Sequence, residues 1–314
     1  MFRGKLESEW INELKYRDEE QAKEWREFGE EGIDVLLRGL EASDRPGERA
    51  YRKLCRKVPM FVRVRIPNPK QDETSSARHR IVDRLSDVGE ESPKVAPVMI
   101  RVVLHDENES IRQSAIAYFI TTDGDDTLGN RLPPDQKKAL LRGLIRAVEN
   151  KDSGAHNAVI LLRYYGEQAD EVAPVLVKAL KSQEPPVRGY AAEALNRIAP
   201  QAAKEAGATE VLIEVANHPD DQIAFRAVSA LQGATNRLDL AVPALVSLLE
   251  NTNTLVASHA VRALERAPRE FEAYRSAITN GLNKAAERKD SIGRRAQAAL
   301  KKWQQRGIGK PESD

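Results

Sequence analysis

Arg188-Gly189-Tyr190-Ala191-Ala192-Glu193-Ala194-Leu195-Asn196-Arg197-Ile198 carries a short pattern that recurs along the chain. Its centre is Ala-x-x-Ala-Leu. The pattern returns at Ala227-x-x-Ala230-Leu231, Ala260-x-x-Ala263-Leu264 and Ala296-x-x-Ala299-Leu300, at intervals of 36, 33 and 36 residues. Side chains at i, i+3 and i+4 share one narrow helical face. On that face alanine lets a neighbouring helix approach closely, and leucine fills the space beside it. A single helix pair cannot bury both of its faces, so it has to stack on further pairs.

Working outward, the first alanine of the pattern serves as an anchor. Its equivalents are Ala22, Ala50, Ile81, Ala115, Ala155, Ala191, Ala227, Ala260 and Ala296, spaced 28 to 40 residues apart. Periods of this size mark a solenoid. The expectation is an all-α array of about nine antiparallel helix pairs, one per anchor. Composition agrees. Apolar residues make up 41% of the 314, enough for a long core, yet aromatics are only 5%. Ala and Leu therefore carry the packing, which favours close-packed helices over sheets.

The period is uneven at the N-terminal end. Trp10, Ile11 and Leu14 share a helical face, and Ala22-x-x-Trp25-x-x-Phe28 forms a second helix. Gly29 stands where a left-handed cap is wanted. Residues 8–57 read as N-terminal repeats. Pro59, Pro67 and Pro69 then exclude a continuous helix, and Phe61-Val62-Arg63-Val64-Arg65-Ile66 alternates like an extended segment. Residues 58–74 read as an ordered non-helical insertion, with helix resuming at Ser75. Regular repeats occupy 75–303, and 304–314 read as a flexible tail. Pro97 belongs in the first turn of its helix, and Val172-Ala173-Pro174-Val175-Leu176 matches Val95-Ala96-Pro97-Val98-Met99 nearly position for position.

Ala-Pro-x-Leu opening one helix, an Asp/Asn turn, and Val-Arg-x-x-Ala-x-x-Ala-Leu on the next resembles the HEAT repeat, in the short bacterial form also called PBS-lyase-like. Val172 to Ile198 is the clearest copy, followed by Ala241 to Leu264 and Val95 to Phe119. The resemblance runs from about Trp10 to Trp303 and lapses in the insertion. It implies a right-handed superhelix with the second helices lining a concave side, and a role in holding protein partners. Enzymes on related scaffolds need residues that can be sought. Iron-dependent deoxyhypusine hydroxylases resemble HEAT arrays with repeated His-Glu pairs. Here the five histidines precede Arg80, Asp106, Asn157, Pro219 and Ala260, so that reading falls. HEAT-like glycosylases need a basic cleft with aromatic walls, for which the aromatics are too few and scattered. Phycobilin lyases share the repeat without a short motif to match.

Two regions are candidate binding sites. Tyr51 to Gln71 carries Arg52, Lys53, Arg56, Lys57, Arg63, Arg65 and Lys70 and no acid before Asp72. Such a patch suits a phosphate backbone, an anionic surface or an acidic partner. Alternatively its long stems cover apolar surface with the charged heads in water. The second is the concave face, at positions just before and two, five or six after each anchor. It includes Tyr190, Glu193, Asn196, Arg197, Arg226, Gln232, His259, Arg262, Glu265, Arg266, Arg295, Lys301 and Lys302, more basic toward the C-terminal end. Its natural partner is an acidic protein surface or segment. The alternative is a solvated surface, with Arg112, Arg188 and, as a third candidate, Arg262 bonded to a neighbouring repeat's turn; Arg112 and Arg188 are read in that way.

Asp123, Asp125 and Asp126 lack the late glutamate of a calcium loop. The histidines lie in separate repeats without ligand-like pairing, with His105 and His218 at the ends of first helices. Cys55 is alone and has no adjacent catalytic partner. No cofactor or metal is expected. The net charge of +1 argues against a whole-surface footprint for DNA. No apolar leader or span occurs, so the expected location is cytoplasmic. The expected function is a non-enzymatic protein-interaction scaffold. The alternatives are nucleic-acid or anionic-polymer binding through 52–70 and the basic C-terminal repeats, and a lyase- or glycosylase-type enzyme.

Overall fold

In the computed structural model the described residues are 1–43, 71–120, 127–152 and 155–306. They form an all-helical solenoid that divides into two compact units, Met1–Leu161 and Leu162–Asp314. The basic patch at 52–70, Cys55, the aspartate loop at 121–126 and the last eight residues lie outside the described residues.

The first unit opens with a tight turn. Arg3 (φ 48°) and Gly4 (φ 80°) are both left-handed, and Phe2 and Lys5 pair across them, the geometry of a type I′ turn. The turn places Phe2 beside Trp10, Trp25 and Phe28, whose rings meet edge to face. Trp10 Nε1 donates to the Phe2 carbonyl at 2.9 Å. This cluster closes the core over α1 (Glu7–Asn12), α2 (Glu19–Glu27) and α3 (Gly29–Ala42). Gly29 has φ +55°, the left-handed residue expected between α2 and α3.

The next helix, α4 (Gln71–Val88), starts at Gln71 rather than Ser75. Pro69 is the last residue barred from a helix interior, so nothing in the sequence delays the helix further. First helices α5 (Val95–His105) and α7 (Pro134–Glu149) pack on each other, and α6 (Glu109–Ala117) packs on α4 and α5. Helix α8 (Ala155–Leu162) ends at the boundary between the units.

Arg84 occupies the place of the second alanine in the α4 copy of the pattern, Ile81-x-x-Arg84-Leu85. It is fully buried. Its guanidinium donates to the Asp18 carbonyl at 3.1 Å, the Lys15 carbonyl at 3.2 Å, Gln21 Oε1 at 3.3 Å and Asp87 Oδ2 at 3.0 Å. An arginine thus ties the α1–α2 turn to α4 where the repeats from Ala155 onward have the methyl group of an alanine.

The second unit alternates two rows. First helices are α9 (Ala169–Ala179), α12 (Ala208–Val215), α14 (Leu238–Leu248) and α16 (Arg275–Ala286). Second helices are α10 (Pro185–Ile198), α13 (Asp221–Leu231), α15 (Thr254–Glu265) and α17 (Ser291–Arg306), each packed on the next. A short α11 (Pro200–Glu205) precedes α12. Its single turn and a half is too short to show a period in the sequence.

Turn chemistry fixes where second helices begin. Asp220 accepts from the amides of Gln222 and Ile223, Asn253 from Leu255 and Val256, and Asp290 from Ile292 and Gly293. These side chains satisfy N–H groups that the helix leaves unpaired. The pattern residues Ala191, Ala194, Leu195, Ala227, Leu231, Ala260, Ala263, Leu264, Ala296 and Ala299 are buried, as packing requires.

The prolines do not all take the same place. Pro97 sits in the first turn of α5, but Pro174 and Pro243 lie inside α9 and α14. Short 3₁₀ turns, Gly166–Gln168 and Thr235–Arg237, run straight into those helices and start them early. Ala169 and Leu238 therefore open helices that Val172 and Ala241 were expected to open.

Candidate functional site

Within the second unit, consecutive second helices bring the predicted face together. The residue before each anchor forms a row, Tyr190 on α10, Arg226 on α13, His259 on α15 and Arg295 on α17. Neighbours along the row are linked. The Arg226 guanidinium lies 5.3 Å from the Tyr190 ring centre. Phe225 packs against His259 at 4.0 Å between ring centres. Arg295 Nη1 donates to the Ser258 hydroxyl, next to His259 in sequence.

Both predicted acids on this face are held by cations. Glu193 accepts from Arg163 Nη1 at 2.8 Å, and Glu265 pairs with Lys302. By contrast, Arg226, Arg262, Arg266 and Arg295 are exposed, and among the described residues none of the four has a carboxylate partner. Gln232 Nε2 donates to the Arg266 carbonyl at 2.7 Å, and Asn196 Nδ2 to the Ala192 carbonyl at 3.0 Å, so both amides are spent on backbone. Lys301 is exposed.

The local field is positive. Burial first, then Arg262 and Arg295, push the His259 pKa below its usual value. Burial raises the Tyr190 pKa, and Glu193 adds to the rise against Arg226 and Arg163. At the α10 end the face is aromatic. Tyr164 carries the Arg163 guanidinium at 4.7 Å and the Arg197 guanidinium at 5.5 Å from its ring centre. Arg163, Tyr164 and Phe225 were missed in the sequence. The first two follow a helix end and lie off the periodic positions, and Phe225 is two residues before its anchor.

Arg112 and Arg188 are indeed bonded to turns. Arg112 Nε and Nη2 reach Asp152 Oδ2 at 3.1 and 2.5 Å, and its Nη1 donates to the carbonyls of Asp106 and Glu107. Arg188 donates to the Ser182 carbonyl at 3.0 Å and to Glu214 Oε1 at 2.8 Å. Arg78 is a third member, paired with Asp106 in a buried contact. All three stand three residues before an anchor, so Arg78 was legible by position. The corresponding places at Ala224, Ala257 and Gly293 end the series.

His79, His105 and His218 take structural places. His79 Nε2 lies 2.8 Å from Ser114 Oγ, and its ring meets Tyr16 edge-on. Burial pushes its pKa down, with Arg17 adding to the fall and Asp83 opposing it. His105 ends α5, and His218 Nδ1 accepts from the Asp220 amide. Among the described residues no group of three His, Cys, Asp or Glu is placed to hold a metal ion. No helix among them is long and apolar enough to cross a membrane.

Residues 138–232 match the family model described as HEAT repeats, so that stretch is HEAT-repeat sequence. No curated protein matches the chain. Among solved structures it is similar to the archaeal HEAT-like repeats protein from Thermococcus onnurineus NA1, at 17% identity over 72% of this chain and 93% of that one, with a TM-score of 0.43. It is similar also to the designed armadillo repeat protein YIII(Dq)4CqI, at 21% identity over 66% and 99%, with a TM-score of 0.47. A further designed armadillo repeat protein, in complex with the peptide (KR)4, matches at 20% identity over 66% and 99%, with a TM-score of 0.46.

Proposed function

We propose that this chain of HEAT repeats is a non-enzymatic scaffold that holds another protein on the second-helix face of residues 162–306, and that the partner presents an acidic surface or segment there. One observation carries the reading. The acids of the face are neutralised inside the fold while Arg226, Arg262, Arg266 and Arg295 stay exposed without carboxylate partners among the described residues. Such an imbalance favours an anionic partner and speeds its encounter. Half-buried aromatic rings among the arginines suit a protein partner, because they supply apolar area at low cost in side-chain entropy.

The test is quantitative affinity capture with the wild-type chain beside the Arg226→Glu/Arg262→Glu/Arg266→Glu variant. These side chains are exposed, so the variant keeps its helical spectrum. Loss of the proteins captured by the wild type supports the reading. Undiminished capture by the variant refutes it.

A further inference from the structure

The face is not uniform along its length, and its gradient defines what fits it. At α10 it offers half-buried rings, Tyr164 and Tyr190, each stacked with arginine. Two helices further on, at α15, it offers Arg262 and His259. One helix beyond, at α17, it offers Arg295, hydrogen-bonded to Ser258. Packed helices lie about 8–10 Å apart, and an extended chain advances about 3.3 Å per residue, so each helix step spans roughly three residues of an extended ligand.

Building on the proposed function, the geometry points to a bipartite ligand. We propose that the face accepts an extended acidic segment of a partner protein. An aromatic side chain of that segment lies against Tyr190. Two carboxylates, about six and nine residues away from it, meet Arg262 and Arg295.

Several observations favour this occupant. The charges to be met are arginines, whose planar forks suit carboxylates. The two cationic positions lie on adjacent packed helices, Arg262 one turn after His259 on α15 and Arg295 on α17 bonded to Ser258 beside it. The aromatic end sits on the same row of residues, one position before each anchor. A helical ligand rises only about 1.5 Å per residue and needs roughly twice the sequence separation to touch the same points.

Fluorescence anisotropy with synthetic peptides tests this on the full chain. The matched peptide carries one tryptophan, with glutamates six and nine residues away on a glycine–serine background. Controls are a scrambled peptide of the same composition, a peptide with glutamine for glutamate, a peptide with doubled spacing, and a single-stranded oligonucleotide. The expected result is at least about tenfold tighter binding of the matched peptide than of any control, since misplacing both charges removes both ion pairs. Arg262→Glu/Arg295→Glu is expected to erase the preference for glutamate over glutamine. Tyr190→Ser is expected to weaken the matched peptide and to leave unchanged a peptide with glycine in place of the tryptophan.

Equal, salt-sensitive binding of matched and scrambled peptides would overturn the bipartite register while leaving the scaffold reading intact. Preference for the doubled spacing or for the oligonucleotide would overturn the extended acidic ligand. Absence of binding by every peptide would overturn it as well, and the capture experiment would then decide the scaffold reading separately.

Discussion

Replacing Arg112 with methionine should weaken the first unit by breaking a nearly buried ion pair from one side. The wild-type guanidinium makes two bonds to Asp152 and two to the backbone of its own turn. The two side chains are only 12% and 6% exposed. Methionine keeps most of the stem's packing but leaves the Asp152 carboxylate nearly buried without its cation. Breaking a buried pair from one side costs about 3–5 kcal/mol. We expect the lower end, about 3 kcal/mol, because neither side chain is fully buried. The assay is urea unfolding followed by circular dichroism, with Asp152→Leu and the double variant completing a cycle. The double variant should recover at least about half of the loss, because no charge is then left alone. A loss below about 1 kcal/mol for Arg112→Met, the range of exposed pairs, would refute the reasoning. So would a double variant whose loss equals the sum of the singles.

Further outcomes follow from the same contacts. Arg188→Met, facing a Glu214 side chain that is 66% exposed, should cost no more than about 1 kcal/mol in the same unfolding assay through loss of that pair. Arg84→Ala leaves a fully buried void and frees two turn carbonyls, so it should cost about 3 kcal/mol and raise proteolysis between α1 and α2, read by limited digestion. Leu195→Asp should uncouple the packing of α10 and lower the thermal midpoint of the second unit by well over about 5 °C, measured by calorimetry. His79 and His259 both have folded pKa values below 6.5, so the unfolded chain takes up protons first as pH falls. Their share of stability is full above pH 6.5 and is lost as pH drops through 6.5 toward the folded values. Unfolding midpoints between pH 7 and pH 5 should fall less in a His79→Asn/His259→Asn variant.

The solenoid was legible because its cause is local and repeated. Ala191, Ala194 and Leu195 are buried for the same reason as Ala260, Ala263 and Leu264, so one helix face predicts the others. Asp220, Asn253 and Asp290 announce their helices because capping is a contact within three residues. What escaped the sequence depends on contacts that no period encodes. Arg84 keeps the phase of the repeat, yet it is the anchor of a turn more than sixty residues away. The early starts of α9 and α14 depend on 3₁₀ turns that prepare the helix, and a proline inside the helix concealed them. Within the face, the row of Tyr190, Arg226, His259 and Arg295 followed from spacing. That Glu193 and Glu265 are already neutralised depends on Arg163 and Lys302, which only the packing of neighbouring helices brings near.

Site-specific photo-crosslinking can locate the partner on the second-helix face. A photoreactive residue placed at Arg226 or Arg262 samples the second-helix face. One placed at Lys284 samples the exposed side of α16, in the first-helix row. The account predicts that a captured partner crosslinks from 226 and 262, through a segment rich in aspartate and glutamate, and not from 284. Equal crosslinking from all three positions, or crosslinking from 284 alone, would contradict it.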